Sequence, residues 1–484
     1  MACVKSVKYS VKFNGKILES FAPSRGLRQG DPLSPFLFLF VVDALSSLIS
    51  NSVNNGELRG VSICRGAPVI SHLLFADDTM LLFEASTQQA RVVKGLLNTY
   101  TSATGQLINP GKCSILFSDN CRQSVADEVK HVLEITQQVF EPKYLGLPVP
   151  EGRMHKGQFE TTQDRLRKRL VDWSEQYVSS GNKEILIKAV AQAIPTYVMN
   201  VFRLPASVCD DLTRMMKQYW WGVERGKRKM AWLSWEKMTL PKSMGGMGFR
   251  DMRAFNQALL AKQAWRLLDN PNSLCARLLR TKYYPTGNLL DTVFPTSSSA
   301  VWRGITHGLE LLKKGLIWRV GDGSLIKTWR DAWIPRGHDF KPITPKGTCR
   351  YNWVADFLEE SGAWNVQRLR QYFWEMDVRE ILKIHTSPSR GQDFLAWYPE
   401  RSGRFTVRSA YRLATGLTCI DMSASSASPD GQRPIWQRVW EAKVPLKMRI
   451  LAWKAVSGAL ATNACKKYRH IATRDTCPLC GTEK

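Results

Sequence analysis

Two adjacent carboxylates, Asp77-Asp78, are the residues in this chain best placed to do chemistry. Apolar runs bracket them, Leu73-Leu74-Phe75 before and Met80 to Phe83 after, so the pattern predicts a buried hairpin with both acids at its tip. Carboxylate oxygens are hard ligands that suit Mg²⁺. Clustered carboxylates hold paired ions about 3.5–4 Å apart, which stabilise the attacking and leaving oxygens in phosphoryl chemistry. Aspartate is also a common turn residue, and an isolated Asp-Asp pair says little alone. A second candidate is Cys477-Pro478-Leu479-Cys480, whose two thiolates have the spacing of half a zinc knuckle. A closed zinc site needs four ligands, and Cys465 and His470 are the substitutes within reach in the sequence.

The elements around the acid pair follow from periodicity. Val7, Tyr9, Val11 and Phe13 alternate with Lys8, Ser10 and Lys12, a half-buried strand that Asn14-Gly15 turns back at Ile17. Asp31 is expected as an N-cap with Pro32 as the first helical residue. The apolar stretch Phe36 to Leu48 that follows spans about 13 residues, contains Asp43, and falls short of the ~20 that a bilayer requires. It reads as a buried core helix ending between Asn51 and Gly56. Val92, Val93, Leu96, Leu97 and Tyr100 share a face of a helix over Thr87 to Thr104, with Gly105 as its C-cap. Ile185, Leu186, Ala189, Val190 and Ala193 predict another helix, stopped before Pro195.

Composition bounds the partners. Lys and Arg number 68 against 42 Asp and Glu in 484 residues, a formal net charge of +26. Such a surplus favours a polyanion, because neutralised phosphates release counterions, and 10% aromatic content offers surfaces for stacking bases. A solvated basic surface is the alternative. Eleven scattered cysteines form no disulfide framework, and the start offers no apolar signal region. The expected setting is intracellular, nuclear or cytoplasmic, with no membrane partner. The tryptophans from 200 to 410, among them Trp220, Trp221, Trp232, Trp235, Trp302 and Trp333, follow no exposed stripe and read as core with solvated faces, a nucleic-acid track being the alternative.

Four segments taken together resemble the non-LTR, LINE-type reverse transcriptases of plants. Arg25-Gly26-Leu27-Arg28-Gln29-Gly30-Asp31-Pro32-Leu33-Ser34-Pro35 resembles their loop-and-helix motif, and Phe75-Ala76-Asp77-Asp78, 42 residues beyond Leu33, their catalytic hairpin. Thr104 to Cys113 is similar to the next motif, and Tyr144-Leu145-Gly146-Leu147-Pro148 to the primer grip. The resemblance implies RNA-directed DNA synthesis with Mg²⁺ on an RNA template, a DNA primer and deoxynucleotides. Asp77 and Asp78 would bind Mg²⁺. Arg28, Gln29 and Gly30 would line the nucleotide and template pocket, and Tyr144, Leu145 and Gly146 would steady the primer. Lys112 would donate a proton to pyrophosphate, with a solvated lysine as the alternative. The resemblance continues through Lys183 to Pro195, Trp220-Trp221-Gly222, Lys242 to Phe249 and Trp318 to Trp333. The segment from Ile435 to Lys484 is similar to the zinc-binding region after plant reverse transcriptases, so Cys477 and Cys480 are candidate Zn²⁺ ligands.

The implied fold is α+β: a partial right-hand palm over 1–150, a helical thumb over 151–235 and a Trp-rich connection over 236–422. A linker over 423–433 and a truncated zinc-binding region over 434–484 complete it. One departure stands out. The family places another catalytic Asp on a strand before the loop-and-helix motif, yet none of the 24 residues before Arg25 is Asp. The chain therefore reads as truncated at its start and inactive as given. The rival is a non-catalytic nucleic-acid-binding remnant, and a weaker third reading is a non-polymerase partner in a larger complex.

Overall fold

The computed structural model describes residues 6–23, 26–28, 30–135, 143–149, 154, 156–174, 178–224, 227–291, 298–337, 339–386, 391–416, 435–477 and 481. Helices and short antiparallel strand pairs make it an α+β protein. The chain divides into two compact units, residues 1–149 with 272–288, and residues 150–271 with 289–484. The segment proposed as a linker lies outside the described residues.

In the first unit, β1 (Lys12–Phe13) and β2 (Lys16–Ile17) pair around Asn14 and Gly15. Both turn residues have positive φ, 44° and 82°, as a two-residue hairpin turn requires. The pair is shorter than alternation predicts, and it is not half-buried: Phe13 and Ile17 are exposed. Helix α1 (Ser34–Asn54) begins two residues later than expected, with Pro35 in its first turn. Asp31 accepts instead from the Leu33 amide (2.9 Å), closing a turn ahead of the helix.

Helix α1 corrects a second expectation, since it is not a buried core helix. Leu45, Ile49 and Ser52 are buried, with Val41, Leu48 and Val53 packed beside them, but Phe36, Leu39 and Phe40 are 62% or more exposed. Its 21 residues make it long and apolar enough to cross a membrane by length and composition alone. Asp43 near its middle, exposed here, would cost about 2.5–3.5 kcal/mol in hydrocarbon.

β3 (His72–Phe75) pairs with β4 (Asp78–Leu81). Helix α2 (Thr87–Thr104) has the predicted bounds because both ends are capped. The Ser86 hydroxyl accepts from the Gln89 amide, and Gly105 takes the left-handed conformation at φ 71°. Its apolar face, Val92, Val93, Leu96, Leu97 and Tyr100, packs with α1 into the unit's core. Helix α3 (Gln123–Leu133) follows, and then β5 (Lys143–Tyr144) pairs with β6 (Leu147–Pro148).

The second unit is mainly helical. It contains α4 (Glu160–Ser174), α5 (Ser180–Leu186), which continues as a π-helical turn Ile187–Ala191 ahead of Pro195, and α6 (Ala206–Trp221). The hairpin β7 (Val223–Glu224) and β8 (Lys227–Arg228) follows α6. Helices α7 (Met252–Asp269) and α8 (Ala300–Lys313) pack closely, and Gly308 is the reason: a Cβ there would lie 2.2 Å from the Leu260 carbonyl carbon. β9 (Leu316–Arg319) pairs with β10 (Phe394–Trp397), and α9 (Val407–Ala414) and α10 (Leu446–Val456) lie further along the chain. Trp220, Trp235, Trp302 and Trp333 are buried, so the tryptophan-rich segment does supply core.

Candidate active site

The β3–β4 hairpin presents the acid pair, one residue out of the expected register. Phe75 pairs with Asp78, so the turn is Ala76-Asp77 and Asp78 opens β4. Ala76 has φ 50°, the left-handed region at the first central position, where glycine is usual. A non-glycine residue held there stores backbone strain of order 1–3 kcal/mol, and such strain clusters at functional sites. The hairpin tip is not buried, because Phe75, Asp77 and Asp78 are exposed while Leu74 and Leu81 turn toward the core. Nor do β3 and β4 join β1 and β2 in one sheet; each pair stands alone.

The base of the hairpin is tied to α1. His72 Nε2 lies 2.8 Å from Ser46 Oγ, and its Nδ1 lies 2.9 Å from Ser71 Oγ. Burial holds this imidazole below its usual pKa, so the neutral ring makes these bonds near neutral pH. Sequence reasoning missed this anchor, since no local pattern links residues 26 positions apart.

Tyr144 is a second candidate, one that feels the charge of the acid pair. Burial raises the Tyr144 phenol above its usual pKa, and the charge of Asp78 raises it further, so the hydroxyl remains a neutral donor within electrostatic reach of that carboxylate. The β5–β6 turn that carries it has Leu145 at φ 51° and Gly146 at φ 73°. Positive φ at both central residues is the hairpin-favouring turn; Gly146 adopts it freely, while Leu145 adopts it against its side chain.

The remaining candidates are placed individually. Arg28 and Gly30 are exposed on the loop before α1, where Gly30 has φ 85° and the Arg28 carbonyl accepts from Ser34 Oγ (2.8 Å). Gln29 lies outside the described residues. Lys112 ends an exposed 3₁₀ turn, Pro110–Lys112, built on Asn109, whose side chain accepts from the Gly111 amide (3.1 Å). Among the described residues no ion pair joins Lys112 to Asp77 or Asp78.

Donor chemistry decides which metals fit. Mg²⁺ is typically held by one or two carboxylates together with waters and substrate phosphates, and the exposed Asp77-Asp78 pair offers that much. Among the described residues no third His, Cys, Asp or Glu completes a metal-holding cluster. The zinc candidates lie only partly within the described residues. Cys480 lies outside the described residues, the Cys465 thiol donates to the Gly458 carbonyl (3.6 Å), and among the described residues no group of three ligands forms around Cys465, His470 or Cys477. The Gly481 amide does donate to the Cys477 carbonyl (2.9 Å).

Comparison with known proteins places these features. Residues 2–149 match the family described as reverse transcriptase (RNA-dependent DNA polymerase), and residues 405–484 match the one described as zinc-binding in reverse transcriptase. An uncharacterized mitochondrial protein of Arabidopsis thaliana is 44% identical over 154 residues, covering 32% of this chain and 98% of that protein. An Arabidopsis protein bearing the name of a ribonuclease H is 27% identical over 345 residues, 69% of this chain, which spans 54% of its length. The Pol polyprotein of the R2 retrotransposable element of Drosophila melanogaster is 34% identical over 104 residues, 22% of this chain and 9% of that protein. By these matches the chain belongs to the non-LTR reverse transcriptases of plants that carry a zinc-binding region.

Proposed function

We propose that the first unit is part of a polymerase palm whose Asp77 and Asp78 would hold Mg²⁺ for nucleotidyl transfer onto a DNA primer paired to an RNA template. The observation that carries this reading is the acid pair on an exposed hairpin tip. Mg²⁺ bound there supplies charge neutralisation for a triphosphate and acidifies the attacking hydroxyl. The chain's own residues do the positioning. The strained Ala76 turn aims the carboxylates outward, and the His72–Ser46 contact fixes the hairpin's base on α1. Tyr144 donates a hydrogen bond at the primer end, and Arg28 with Gly30 borders the incoming nucleotide.

Two carboxylates supply only part of the ligand shell that a two-metal site needs, and no third metal-ligating group joins them among the described residues. The 484 residues taken alone are therefore expected to give no measurable primer extension. The same observation favours a second reading, a non-catalytic nucleic-acid-binding remnant. The test is extension on an RNA template with Mg²⁺. A chimera joined to an Asp-bearing palm strand from a longer relative should extend, and Asp77→Ala should lower its rate by at least 10²–10³, the typical cost of losing one charge-stabilising group. Extension by the chimera that is indifferent to Asp77→Ala would remove the acid pair from the site. Robust extension by the 484 residues alone would show that another residue completes the shell.

A further inference from the structure

The second unit holds a cavity of about 900 Å³ between the N-terminal ends of α6, α7 and α8 and the C-terminal end of α9. That volume takes a small molecule or the end of a larger one. Two arginines of its wall stand close together although 100 positions separate them. A Cβ on Gly304 would lie 3.4 Å from the Arg203 amide nitrogen, so the backbone carrying Arg203 lies against the turn of α8 that carries Arg303. His307 follows Arg303 by four residues and lines the same cavity. Burial lowers the His307 pKa first and the charge of Arg203 lowers it further, with the Glu310 carboxylate opposing both.

The charged residues of the wall are Arg203, Arg253 and Arg303 against Glu236 and Asp251. Their sum is nearly balanced, and what separates them is pairing. Arg253 donates to both oxygens of Asp210, at 2.7 and 2.6 Å. Asp251 caps α7 by accepting from the Ala254 amide (2.8 Å), where the helix dipole favours its charge. The Glu236 carboxyl is held below its usual range by its own amide and the Ser234 hydroxyl, with the charge of Lys217 adding to them. Glu310 lies 3.4 Å from His307 Nδ1 but is 71% exposed, so water screens it. Among the described residues the Arg203 and Arg303 side chains have neither ion pair nor hydrogen bond. Solvation accounts for Arg203, which is exposed; Arg303 is half-buried and has no partner to offset the lost water. The buried polar side-chain atoms of this wall that lack a hydrogen-bond partner are Trp235 Nε1 and His307 Nδ1, and no side-chain oxygen is among them.

Two unpaired guanidiniums beside a buried indole donor suit a ligand with two negative charges and several acceptor oxygens. A phosphate monoester has both near neutral pH, whereas a single carboxylate leaves one guanidinium unmatched. Phe202, Leu204, Trp235 and Leu240 make much of the remaining wall apolar. We propose that this cavity binds a phosphate monoester on a small, partly apolar body, its phosphate held by Arg203 and Arg303. A free nucleotide and the phosphorylated end of a nucleic-acid strand share that chemistry. The site uses none of the residues assigned to Mg²⁺.

The test is equilibrium dialysis of the full chain, without Mg²⁺, against labelled uridine 5′-monophosphate. The monophosphate should bind saturably and at least about tenfold more tightly than uridine. Arg203→Gln and Arg303→Gln should each weaken it by about tenfold, the loss of one charge-assisted hydrogen bond. Lys313→Gln, an exposed change of equal charge elsewhere on α8, should leave it unaltered. Short oligouridylates with a 5′-phosphate or a 5′-hydroxyl separate the two sources. Preference for the phosphorylated strand assigns the site to a strand end, and equal binding of both strands assigns it to the free nucleotide. Uridine bound as tightly as the monophosphate, no saturable binding of the monophosphate, or wild-type affinity in both glutamine variants would overturn the site. Should Arg303→Gln fail to fold, the exposed Arg203→Gln and the uridine comparison still decide. Because no Mg²⁺ is present, the outcome is independent of Asp77.

Discussion

The two units carry their information differently. The first holds nearly every motif residue, yet its core is a modest aliphatic cluster around Leu45, Ile49, Leu58 and Val93, closed by Tyr100. Its chemistry-bearing residues ride on two-stranded hairpins whose tips face solvent. The second holds few recognisable site residues but buries large rings against one another. Trp333 stacks on Trp364 at 5.8 Å and meets Phe373 edge-on, while Trp235 stacks on Phe249 at 5.2 Å. Metal-binding acids must reach substrate and need only a firm base, whereas a ring-packed unit gains its stability from area removed from water.

That contrast breaks most visibly in the second core. Trp333→Ala removes a side chain that is 1% exposed and donates to the Thr328 carbonyl (2.9 Å), so it should cost about 3–5 kcal/mol in denaturant unfolding. A loss below 1 kcal/mol would mean that the ring cluster is not what holds this unit.

Acid should separate the units next. His72 has a lowered folded pKa, so its contribution is complete above the unfolded value of about 6.5 and is lost as pH falls below it. Asp377 in the second unit is buried. Burial raises its carboxyl, but Thr344, Arg336 and the Ile343 amide together outweigh that and hold it below the usual range. Its contribution is complete above about pH 3.9 and is lost only as pH falls further. Hydrogen exchange followed down the pH scale should open the β3–β4 hairpin in mild acid and the Asp377 region only in strong acid. Simultaneous opening would erase the distinction.

Smaller effects sharpen the picture of the first unit. Ser86→Ala deletes the α2 N-cap and should cost about 1 kcal/mol by thermal unfolding. Phe40→Ser, at a site 75% exposed on α1, should change stability by no more than about 0.5 kcal/mol. A loss several-fold larger would mean that this face is covered in solution.

Much of the first unit was legible because its signals are local. The bounds of α2 follow from Ser86 and Gly105, which act within a turn of the chain. The Asn14-Gly15 turn follows from the positive φ that these residues tolerate. The acid hairpin was legible to within one residue. Pleat alternation marks a strand's sides but not which residue pairs first across the turn, and Phe75 facing Asp78 decides that. The exposure of Phe36, Phe40 and Phe75 was not legible, since an apolar residue signals a tendency to be buried and not the presence of something to cover it.

By itself, then, the chain's order of residues determined its family, the bounds of α2, the Asn14-Gly15 turn and the identity of the acid pair, since caps, turns and motifs act over a few neighbouring positions. Only the tertiary structure decided that His72 is tied to Ser46, that Tyr144 feels the charge of Asp78, and that Arg203 and Arg303 meet at one cavity. Those pairings span 26 to 100 positions. They depend on which packed faces meet, and no local pattern of hydropathy or charge encodes that.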